Sequence, residues 1–292
     1  MVICQAIMLF GSHISAAGGV DKAPERAAEV GCEVFQFFSR PPQGGPGSKL
    51  TPSVIAAFKG NCKKFKQAES YIHTPYYINF ASTTPRIRYG SIAVVREELE
   101  RGTLLGCKYV MTHLGSTKSA GPKLGFHKTW RAVQRILDGY KGSCLLLLED
   151  SSGAGDLVGS TFEELRDLIK NVESAAKYKN KVGVCLDSCH MFASGYDLST
   201  AAAVKITLDE FGKKVGFKYL KLMHANDSYG ELGGKRDRHE HLGKGKIGLE
   251  GFKALVQDKR MKAVNFILET PKDNPQDDPR NLAILKNLEC IS

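Results

Sequence analysis

The chain has no apolar run long enough to cross a membrane. A membrane-spanning helix needs about 18 or more uninterrupted apolar residues, and polar residues break every apolar stretch of this sequence well before that length. The opening residues MVICQAIMLFGSH are apolar, but they have neither the basic segment nor the small-residue cleavage site of a secretory signal. The sequence therefore predicts a protein without membrane association, and a cytoplasmic location is the default expectation.

Cys-x-x-Cys pairs are also absent. The eight cysteines form an even set, which would suit disulfide bonds in a secreted protein. Four of them, Cys4, Cys107, Cys144 and Cys185, lie in or beside apolar runs, where cysteine behaves as a small hydrophobic residue. We therefore expect reduced thiols. A Gly-x-Ser-x-Gly motif is missing as well, and no cysteine is marked as a nucleophile by its surroundings, which disfavours catalysis through a nucleophilic side chain.

No linker or low-complexity segment divides the 292 residues. Eight apolar segments of strand length follow one another without strict alternation, as strands buried on both faces do: AIMLFGSH, EVFQFFSR, ESYIHTPY, KYVMTHLG, CLLLLED, VGVCLDS, KYLKLMHAND and NFILET. Helix-like segments lie between them. This repetition predicts an α/β fold with one domain over residues 1–292, a closed (β/α)8 TIM barrel, and a doubly wound open sheet is the alternative.

The predicted helices carry recognisable end signals. Thr51 with Pro52 suits the start of one helix, and Thr161 with Glu164 suits a capping box at the start of another. Gly106 suits the end of a third. The Gly-rich stretches RPPQGGPGS and YGELGGKRD follow strand segments, so we interpret them as loops on the working face of the barrel.

Six of the predicted strands end in a side chain that can bind a metal ion. In chain order these residues are His73, His113, Glu149, Asp187, His224 and Glu269. In a barrel, all six would converge on the mouth formed by the C-terminal ends of the strands, where such folds carry their chemistry. Any one of them alone would suit a cap or a solvated loop. Their shared position in successive units is what predicts a metal site at the mouth.

Three further candidates lie close to these strand ends. His190 follows Asp187 by three residues, and Asp237 and His239 belong to a loop after the seventh strand segment. An Asp-x-His spacing in an extended segment points both side chains to one side. His241 has the same phase, so spacing alone leaves it as an alternative to His239.

Nine ligands exceed what one ion binds, and at four or five bonds each they suit two or three ions. Imidazole and carboxylate together favour zinc, with manganese or iron as alternatives, and the thiols of Cys185 and Cys189 are less favoured ligands. Clustered divalent ions promote phosphoryl displacement. The formal charge of +10 favours a polyanionic partner, so the residues point to a phosphodiester substrate.

Six segments resemble the endonuclease IV family of apurinic/apyrimidinic (AP) endonucleases. They are GSHISAAGG, THLGS, VCLDSCHMFASGYDL, KYLKLMHANDS, DRHEHLGKGKIG and ILET, and they extend from about Gly11 to Glu269. The Asp-x-x-His segment followed by Gly-Tyr-Asp, and the Asp-Arg-His loop followed by Gly-x-Gly-x-Ile-Gly, are highly specific together. The resemblance implies a TIM barrel with three zinc ions at its mouth.

By motif, the resemblance assigns the ligands to ions. The first ion would be held by His73, His113 and Glu149, the second by the bridging Glu149 with Asp187, His224 and Glu269, and the third by His190, Asp237 and His239. The implied reaction is a DNA repair step, the hydrolysis of the phosphodiester 5′ to an abasic site in duplex DNA. It leaves a 3′-hydroxyl and a 5′-deoxyribose phosphate, and Glu149 would orient the attacking hydroxide. Trimming of blocked 3′ ends is implied as well.

The resemblance also implies that loops around the mouth bend the duplex and flip the abasic nucleotide out. Arg40 and Tyr76 are placed to enter the base stack, although Tyr76 and Tyr77 would also suit packing beneath a loop. We expect basic side chains of the later loops to meet phosphates: Lys235, Arg236, Arg238, Lys244 and Lys246. The segment SRPPQGGPG is unusually rich in Pro and Gly, and Pro75 stands where a hydrogen-bonding residue would otherwise fit, which leaves individual contacts there open.

Two other functions stay open at this stage. A metal-dependent sugar isomerase or epimerase would carry similar ligands at the same mouth, but neither the Asp-Arg-His loop nor the surplus of positive charge is expected of it. A DNA-binding protein that recognises damage without catalysis would be expected to have lost some ligands, and all nine are present. We expect a monomer that acts on duplex DNA.

Overall fold

Eight strands close into one parallel barrel in the computed structural model, which describes residues 8–290. The ten strands in chain order are β1 (Phe10–Ile14), β2 (Val34–Phe37), β3 (Glu69–His73), β4 (Tyr109–Thr112), β5 (Leu145–Glu149), β6 (Val182–Asp187), β7 (Leu220–His224), β8 (Asp227–Ser228), β9 (His239–Glu240) and β10 (Asn265–Leu268). The order around the barrel is β1-β10-β7-β6-β5-β4-β3-β2. The predicted (β/α)8 barrel is therefore confirmed, and the open sheet is wrong.

The first predicted strand and one of the eight cysteines lie partly or wholly outside the described residues. The segment AIMLFGSH begins at Ala6, which lies outside the described residues, as does Cys4; the strand itself begins at Phe10. The seven cysteines between residues 8 and 290 are all free. No helix in that same range is both long and apolar enough to cross a bilayer.

Helices follow the strands and surround the barrel. Within the described residues they are α1 (Ala23–Glu29), α2 (Pro52–Lys64), α3 (Pro85–Leu105), α4 (Pro122–Leu137), α5 (Phe162–Val172), α6 (Ser188–Ser194), α7 (Ala201–Lys214), α8 (Gly248–Gln257) and α9 (Asp277–Cys290). Each lies against neighbouring helices or strands. Their packing on the outside of the barrel leaves the strand ends free to form the mouth.

The predicted helix ends agree with the structure in most respects. The Thr51 side chain accepts a hydrogen bond from the backbone N–H of Val54 at the start of α2, and Gly106 ends α3 in the left-handed conformation, with φ of 80°. Thr161 caps α5 by accepting from the N–H of Glu164. The return contact of the capping box differs, because the Glu164 carboxylate accepts from the N–H groups of two earlier residues, Gly159 and Ser160.

Strand residues alternate between the barrel interior and the helix layer. Val34 belongs to the interior cluster, which also contains Tyr71, Leu147, Leu222 and Ile267. The two residues of opposite phase on β2, Phe35 and Phe37, pack instead on Phe58 of α2. Since the period of a strand is two residues, β2 turns Gln36 inward with Val34, one step nearer the mouth.

Candidate metal centre

The nine predicted ligands lie together at the mouth of the barrel. Donor atoms of three groups approach within 4.8 Å of one another: His73, His113 and Glu149; Glu149, Asp187, His224 and Glu269; and Asp187, His190 and His239. The first two groups share Glu149 and the last two share Asp187. Asp237 joins the third group because its carboxylate contacts the imidazoles of His190 and His239. The strand ends thus place three overlapping sets of donors side by side.

Glu149 is the centre of the first group. It ends β5, and its Oε2 atom lies 3.3 Å from His73 Nε2 and 3.2 Å from His113 Nε2. This oxygen is buried and has no hydrogen-bond partner among the described residues. A buried carboxylate oxygen that faces two imidazole nitrogens without a hydrogen bond is the arrangement expected where all three bind one cation.

His224 is the centre of the second group. Its Nδ1 atom lies 2.9 Å from Glu149 Oε1, 3.3 Å from Glu269 Oε2 and 3.8 Å from Asp187 Oδ2. The parallel register explains part of this convergence, because Asp187 on β6 and His224 on β7 are direct partners. Three carboxylates around one imidazole nitrogen carry negative charge that a cation would balance.

The third group brings a loop against a helix start. His190 in the first turn of α6 lies with Nε2 3.1 Å from Asp237 Oδ2, and His239 Nε2 lies 3.3 Å from Asp237 Oδ1. His239 Nε2 is also 3.7 Å from Asp187 Oδ2. Asp187 itself caps α6 by accepting from the N–H of His190 at 3.0 Å. The loop and the helix start therefore place their charged side chains beside the Asp187 carboxylate at the end of β6.

Backbone carbonyl groups set the orientation of three imidazoles. The Nδ1 atoms of His73, His190 and His239 lie 2.6, 3.1 and 3.0 Å from the carbonyl oxygens of Thr74, Asp150 and Glu269 respectively. A carbonyl only accepts, so each Nδ1 carries the proton and donates. Each Nε2 then offers its lone pair to the mouth, as outer contacts of metal-bound histidines require. The donor set fits zinc.

Charge interactions within the cluster shift several pKa values. Burial favours neutral Glu149, but the neighbouring His113 and His224 outweigh it and hold the pKa of Glu149 well below 4.5. Burial would likewise lower the pKa of His190, yet the Asp187 and Asp237 carboxylates raise it well above 6.5. Without metal ions, the cluster therefore balances its carboxylates with protonated imidazoles, which bound cations would replace.

The two thiols near the centre are poor ligands. Burial raises the pKa of Cys185 to about 12. Burial, reinforced by the negative charge of Asp187, raises the pKa of Cys189 to about 12 as well. Since the thiolate is the form that binds metal, these shifts favour histidine and carboxylate ligands, even though Cys189 lies within reach of Asp237 and His239.

The structure separates His239 from His241. His239 faces the mouth, whereas His241 is buried against α9 with Nδ1 3.0 Å from the side-chain amide of Asn281 and Nε2 3.9 Å from Asp277. Strand β9 ends at Glu240, so His241 lies beyond it and does not keep the strand phase that it would share with His239. Of the two alternatives left by spacing, the structure brings His239 to the cluster.

Two residues of the mouth were missed by sequence reasoning. Gln36 is fully buried and contacts both His224 and Glu269, and His13 of β1 lies 3.3 Å from Glu269. His13 stands inside the GSHISAAGG motif, so the motif was a usable signal for it. Gln36 stands in an apolar run, where only the two-residue period of the strand, counted from Val34, would have placed it inside the barrel.

Arg40 lies in the loop after β2, as predicted, but its side chain is turned toward the helix layer and not toward the mouth. Its side chain is buried, with the guanidinium paired to Glu98 and with Nη2 2.8 Å from Glu97 Oε2. Both glutamates belong to α3, about 58 residues away along the chain. A guanidinium held in this way is not presented to a base stack, so in this structure Arg40 fixes the loop after β2 to the helix layer.

The other predicted DNA contacts are exposed. The exposed fraction is 60% for Tyr76 and 40% for Tyr77, so neither ring is packed beneath a loop. Tyr76 lines the mouth with His73 and His113, and its ring meets that of Phe38 edge to face at 5.2 Å. The five predicted basic residues, Lys235, Arg236, Arg238, Lys244 and Lys246, are all exposed. Lys246 pairs with Glu231 at 2.9 Å.

The fold and the site together define a class. A closed parallel barrel is the fold of the xylose isomerase-like TIM barrels, and the model of that family matches residues 24–292. A protein named "Probable endonuclease 4" from Cenarchaeum symbiosum (strain A) is 38% identical over 96% of this chain and 99% of its own length. The chain belongs to the endonuclease IV family.

Solved structures agree with this assignment. The crystal structure of endonuclease IV from Thermus thermophilus superposes with a TM-score of 0.85 at 33% identity, over 96% of this chain and 98% of that one. D-psicose 3-epimerase from Clostridium cellulolyticum superposes with a TM-score of 0.69 at 14% identity, over 97% of this chain and 98% of that one. The likeness to the epimerase concerns the fold alone.

Proposed function

We propose that this protein is a DNA-repair endonuclease that uses three zinc ions to hydrolyse the phosphodiester 5′ to abasic sites in duplex DNA. The products would be a 3′-hydroxyl and a 5′-deoxyribose phosphate. The observation that carries the proposal is the set of three overlapping donor groups at the mouth, joined through Glu149 and Asp187. Membership of the endonuclease IV family supports the assignment as an AP endonuclease, independently of the number and identity of the metal ions.

The residues of the mouth suit three divalent ions. His73, His113 and Glu149 would hold the first ion, and Glu149 would be shared with a second beside Asp187, His224 and Glu269. His190, Asp237 and His239 would hold the third, with Asp187 close to it as well. Zinc at these positions would supply Lewis-acid stabilisation of the phosphate and a lower pKa for bound water.

Glu149 is the residue best placed to handle the attacking water. Burial acts to raise its pKa, but His113 and His224 outweigh that effect and hold the pKa well below 4.5, so Glu149 is ionised at neutral pH. An ionised, buried carboxylate at the base of the mouth can orient a water molecule and accept its proton.

The rim of the mouth suits a nucleic acid better than a sugar. Exposed lysine and arginine side chains of the loop around Asp237 would meet phosphates, and the exposed Tyr76 ring would stack on a base or sugar left by the flipped nucleotide. Arg238 is held over the Tyr229 ring at 4.3 Å. A sugar epimerase acts on an uncharged substrate and does not need exposed lysine and arginine side chains around its mouth. These side chains are therefore the observation that favours the nuclease.

The decisive experiment uses a duplex oligonucleotide with one tetrahydrofuran abasic analogue and an end label. This analogue lacks the aldehyde needed for β-elimination, so that a break must come from hydrolysis. We expect one cut on its 5′ side that leaves an extendable 3′-hydroxyl. No cut by folded, zinc-loaded protein would contradict the proposed substrate. A second duplex with a 3′-phosphate at a nick tests the proposed trimming of blocked 3′ ends in the same way.

A further inference from the structure

Gln36 is a neutral, fully buried side chain in the middle of charged ones. Its Oε1 atom lies 2.9 Å from His224 Nε2, and its Nε2 atom lies 2.5 Å from Glu269 Oε1 and 2.9 Å from His13 Nδ1. The side chain is 0% exposed. One amide therefore contacts two of the predicted ligands of the second ion and one further histidine, which lies on the neighbouring strand β1.

The hydrogen-bond roles of these groups follow from the carboxylates around His224. Its Nδ1 atom faces Glu149 and Glu269, so Nδ1 is the nitrogen that would bind a cation with its lone pair. A neutral imidazole with a lone pair on Nδ1 carries its proton on Nε2. That proton is donated to Gln36 Oε1, which fixes the oxygen of the amide toward His224 and its NH₂ group away from it.

The NH₂ group of Gln36 then has two hydrogens and two acceptors. One hydrogen is donated to Glu269 Oε1, and the other faces His13 Nδ1, which accepts it in the tautomer that carries the His13 proton on Nε2. Both donor hydrogens and the acceptor oxygen of a buried amide are thus used, as burial requires. His13 is the direct partner of Gln36 in the β1–β2 register, so the backbone places it at the same height.

We propose that Gln36 is the positioning residue of this metal centre. It fixes which nitrogen of His224 faces the ions, and it aims the Glu269 carboxylate from the same amide. Hydrogen bonds from a neighbouring residue to the metal ligands orient those ligands, and losing them typically costs about 10–100-fold in metal affinity. The inference rests on the metal centre of the proposed function, and it does not depend on the identity of the nucleic acid substrate.

Other residue types at this position would do only part of the task. Glutamate would accept from His224 Nε2 but would repel Glu269, because it has no donor when ionised. Methionine would fill a similar volume with neither donor nor strong acceptor, so that the His224 and Glu269 side chains would both lose a partner. The two substitutions therefore separate the acceptor role from the donor role.

The test is a zinc titration of metal-free protein in competition with a chromophoric chelator. We expect Gln36→Met to weaken one of three zinc equivalents by about 10–100-fold and to leave the other two near the parent values. Gln134→Met is the matched control. Gln134 is also a buried glutamine, and it donates to the carbonyls of Asn171 and Val172 on the helix layer, so its variant should lose thermal stability without losing zinc affinity.

Each outcome of the titration bears on the inference. Gln36→Glu should bind the weakened equivalent more tightly than Gln36→Met, because the acceptor for His224 is kept; equal weakening in both would overturn the assignment to His224. Parent-like binding of all zinc by Gln36→Met would overturn the positioning role. A parent protein that binds three zinc ions but does not cut the abasic duplex would contradict only the proposed substrate. A parent that binds no zinc would overturn the metal centre and this inference with it.

Discussion

Glu149 shows how one residue can serve two metal positions. Its Oε2 atom faces His73 and His113, and its Oε1 atom faces His224. The two oxygens of one carboxylate thus belong to different donor groups. A substitution at this residue should disturb the chemistry more than the binding of DNA, because the residues proposed to meet phosphates and bases lie at the rim.

We expect Glu149→Gln to bind the tetrahydrofuran duplex with near-parent affinity and to cleave it at least about 10³-fold more slowly. The amide keeps the size of the side chain but cannot orient and deprotonate water as a carboxylate does. Gel-shift and single-turnover cleavage assays would measure the two effects. The matched control is Glu100→Gln, since Glu100 is half-exposed on α3 and pairs with Arg96 one turn away. Cleavage by Glu149→Gln at the parent rate would contradict the central role of this carboxylate.

The pKa of His239 predicts a pH effect on the metal-free protein. Burial acts to lower this pKa, but Asp187 and Asp237 raise it from 6.5 to about 9. Because the folded pKa exceeds the unfolded one, the stabilisation is fully present below about pH 6.5 and is lost as the pH rises through 9. We expect the thermal midpoint of metal-free protein to fall by several degrees between pH 7 and 9.5.

Bound zinc should remove this dependence, since a metal-bound imidazole is not protonated. Differential scanning calorimetry with and without zinc would measure both curves. His239→Gln should make the metal-free curve less steep, with His190 accounting for part of the remaining slope, whereas His127→Gln, at an exposed position of α4, should leave it unchanged. A metal-free curve that rises with pH over this range would contradict the assignment.

Individual residues were predictable where their position along the chain was the signal. Six of the nine candidate ligands sit at equivalent places at the ends of successive strands, so the repeat itself pointed to them, whereas His190, Asp237 and His239 were indicated by local spacing and by the family motifs. Gln36 has no such repeat, and its importance comes from three partners that are distant in sequence. Arg40 shows the opposite case, because nothing near it in sequence indicates that Glu97 and Glu98 will bury it.

At the scale of elements, the loop after β7 depends on one buried carboxylate. Asp227 accepts hydrogen bonds from five backbone N–H groups, those of Ser228, Gly243, Gly245, Ile247 and Gly248. The chain comes so close that a Cβ atom at Gly245 would lie 2.5 Å from both Asp227 Oδ1 and the carbonyl oxygen of Ser228. This arrangement explains why the segment needs glycine, and it fixes the loop that presents Lys244.

We expect Asp227→Asn to destabilise the protein by roughly 2–3 kcal/mol. The new NH₂ group would face N–H donors, and charge-assisted hydrogen bonds of this kind are worth about 1.5–3 kcal/mol each. Urea unfolding would measure the loss, and hydrogen exchange at Gly243, Gly245 and Ile247 would locate it. Asp167→Asn, at a partly exposed position of α5, is the control. Parent-like exchange at these amides in Asp227→Asn would contradict the anchoring role.

The elements themselves were largely predictable from sequence. Apolar runs of strand length, caps such as Thr51 and the glycine that ends α3 are local signals, and each agreed with the structure. The short pair β8–β9 was not predicted, because two-residue strands have no periodic pattern. Its formation depends on Asp227 and on the glycines that fold back over it, which are contacts between parts of the chain some 16–21 residues apart.

At the scale of the whole molecule, the charge of +10 predicts a strong salt dependence of DNA affinity. If the five exposed basic residues meet phosphates, affinity for the tetrahydrofuran duplex should fall by about 10³-fold between 50 and 200 mM salt. Lys244→Ala should reduce the slope of log affinity against log salt by about 0.9. Lys205→Ala, 72% exposed on α7 and paired with Asp209, should leave it unchanged. Fluorescence anisotropy would measure these slopes, and a flat response would contradict binding dominated by phosphates.

The closure of the barrel fixes when during its synthesis the protein acquires its site. The last strand, β10, pairs with β1 on one side and β7 on the other, and Glu269 directly follows it, 233 residues after its partner Gln36. A nascent chain that has not yet released this segment from the ribosome has an open sheet and lacks one of the carboxylates. The cluster is therefore assembled only after β10 and Glu269 have emerged, and a chain truncated before Asn265 would form neither a closed barrel nor a complete set of ligands.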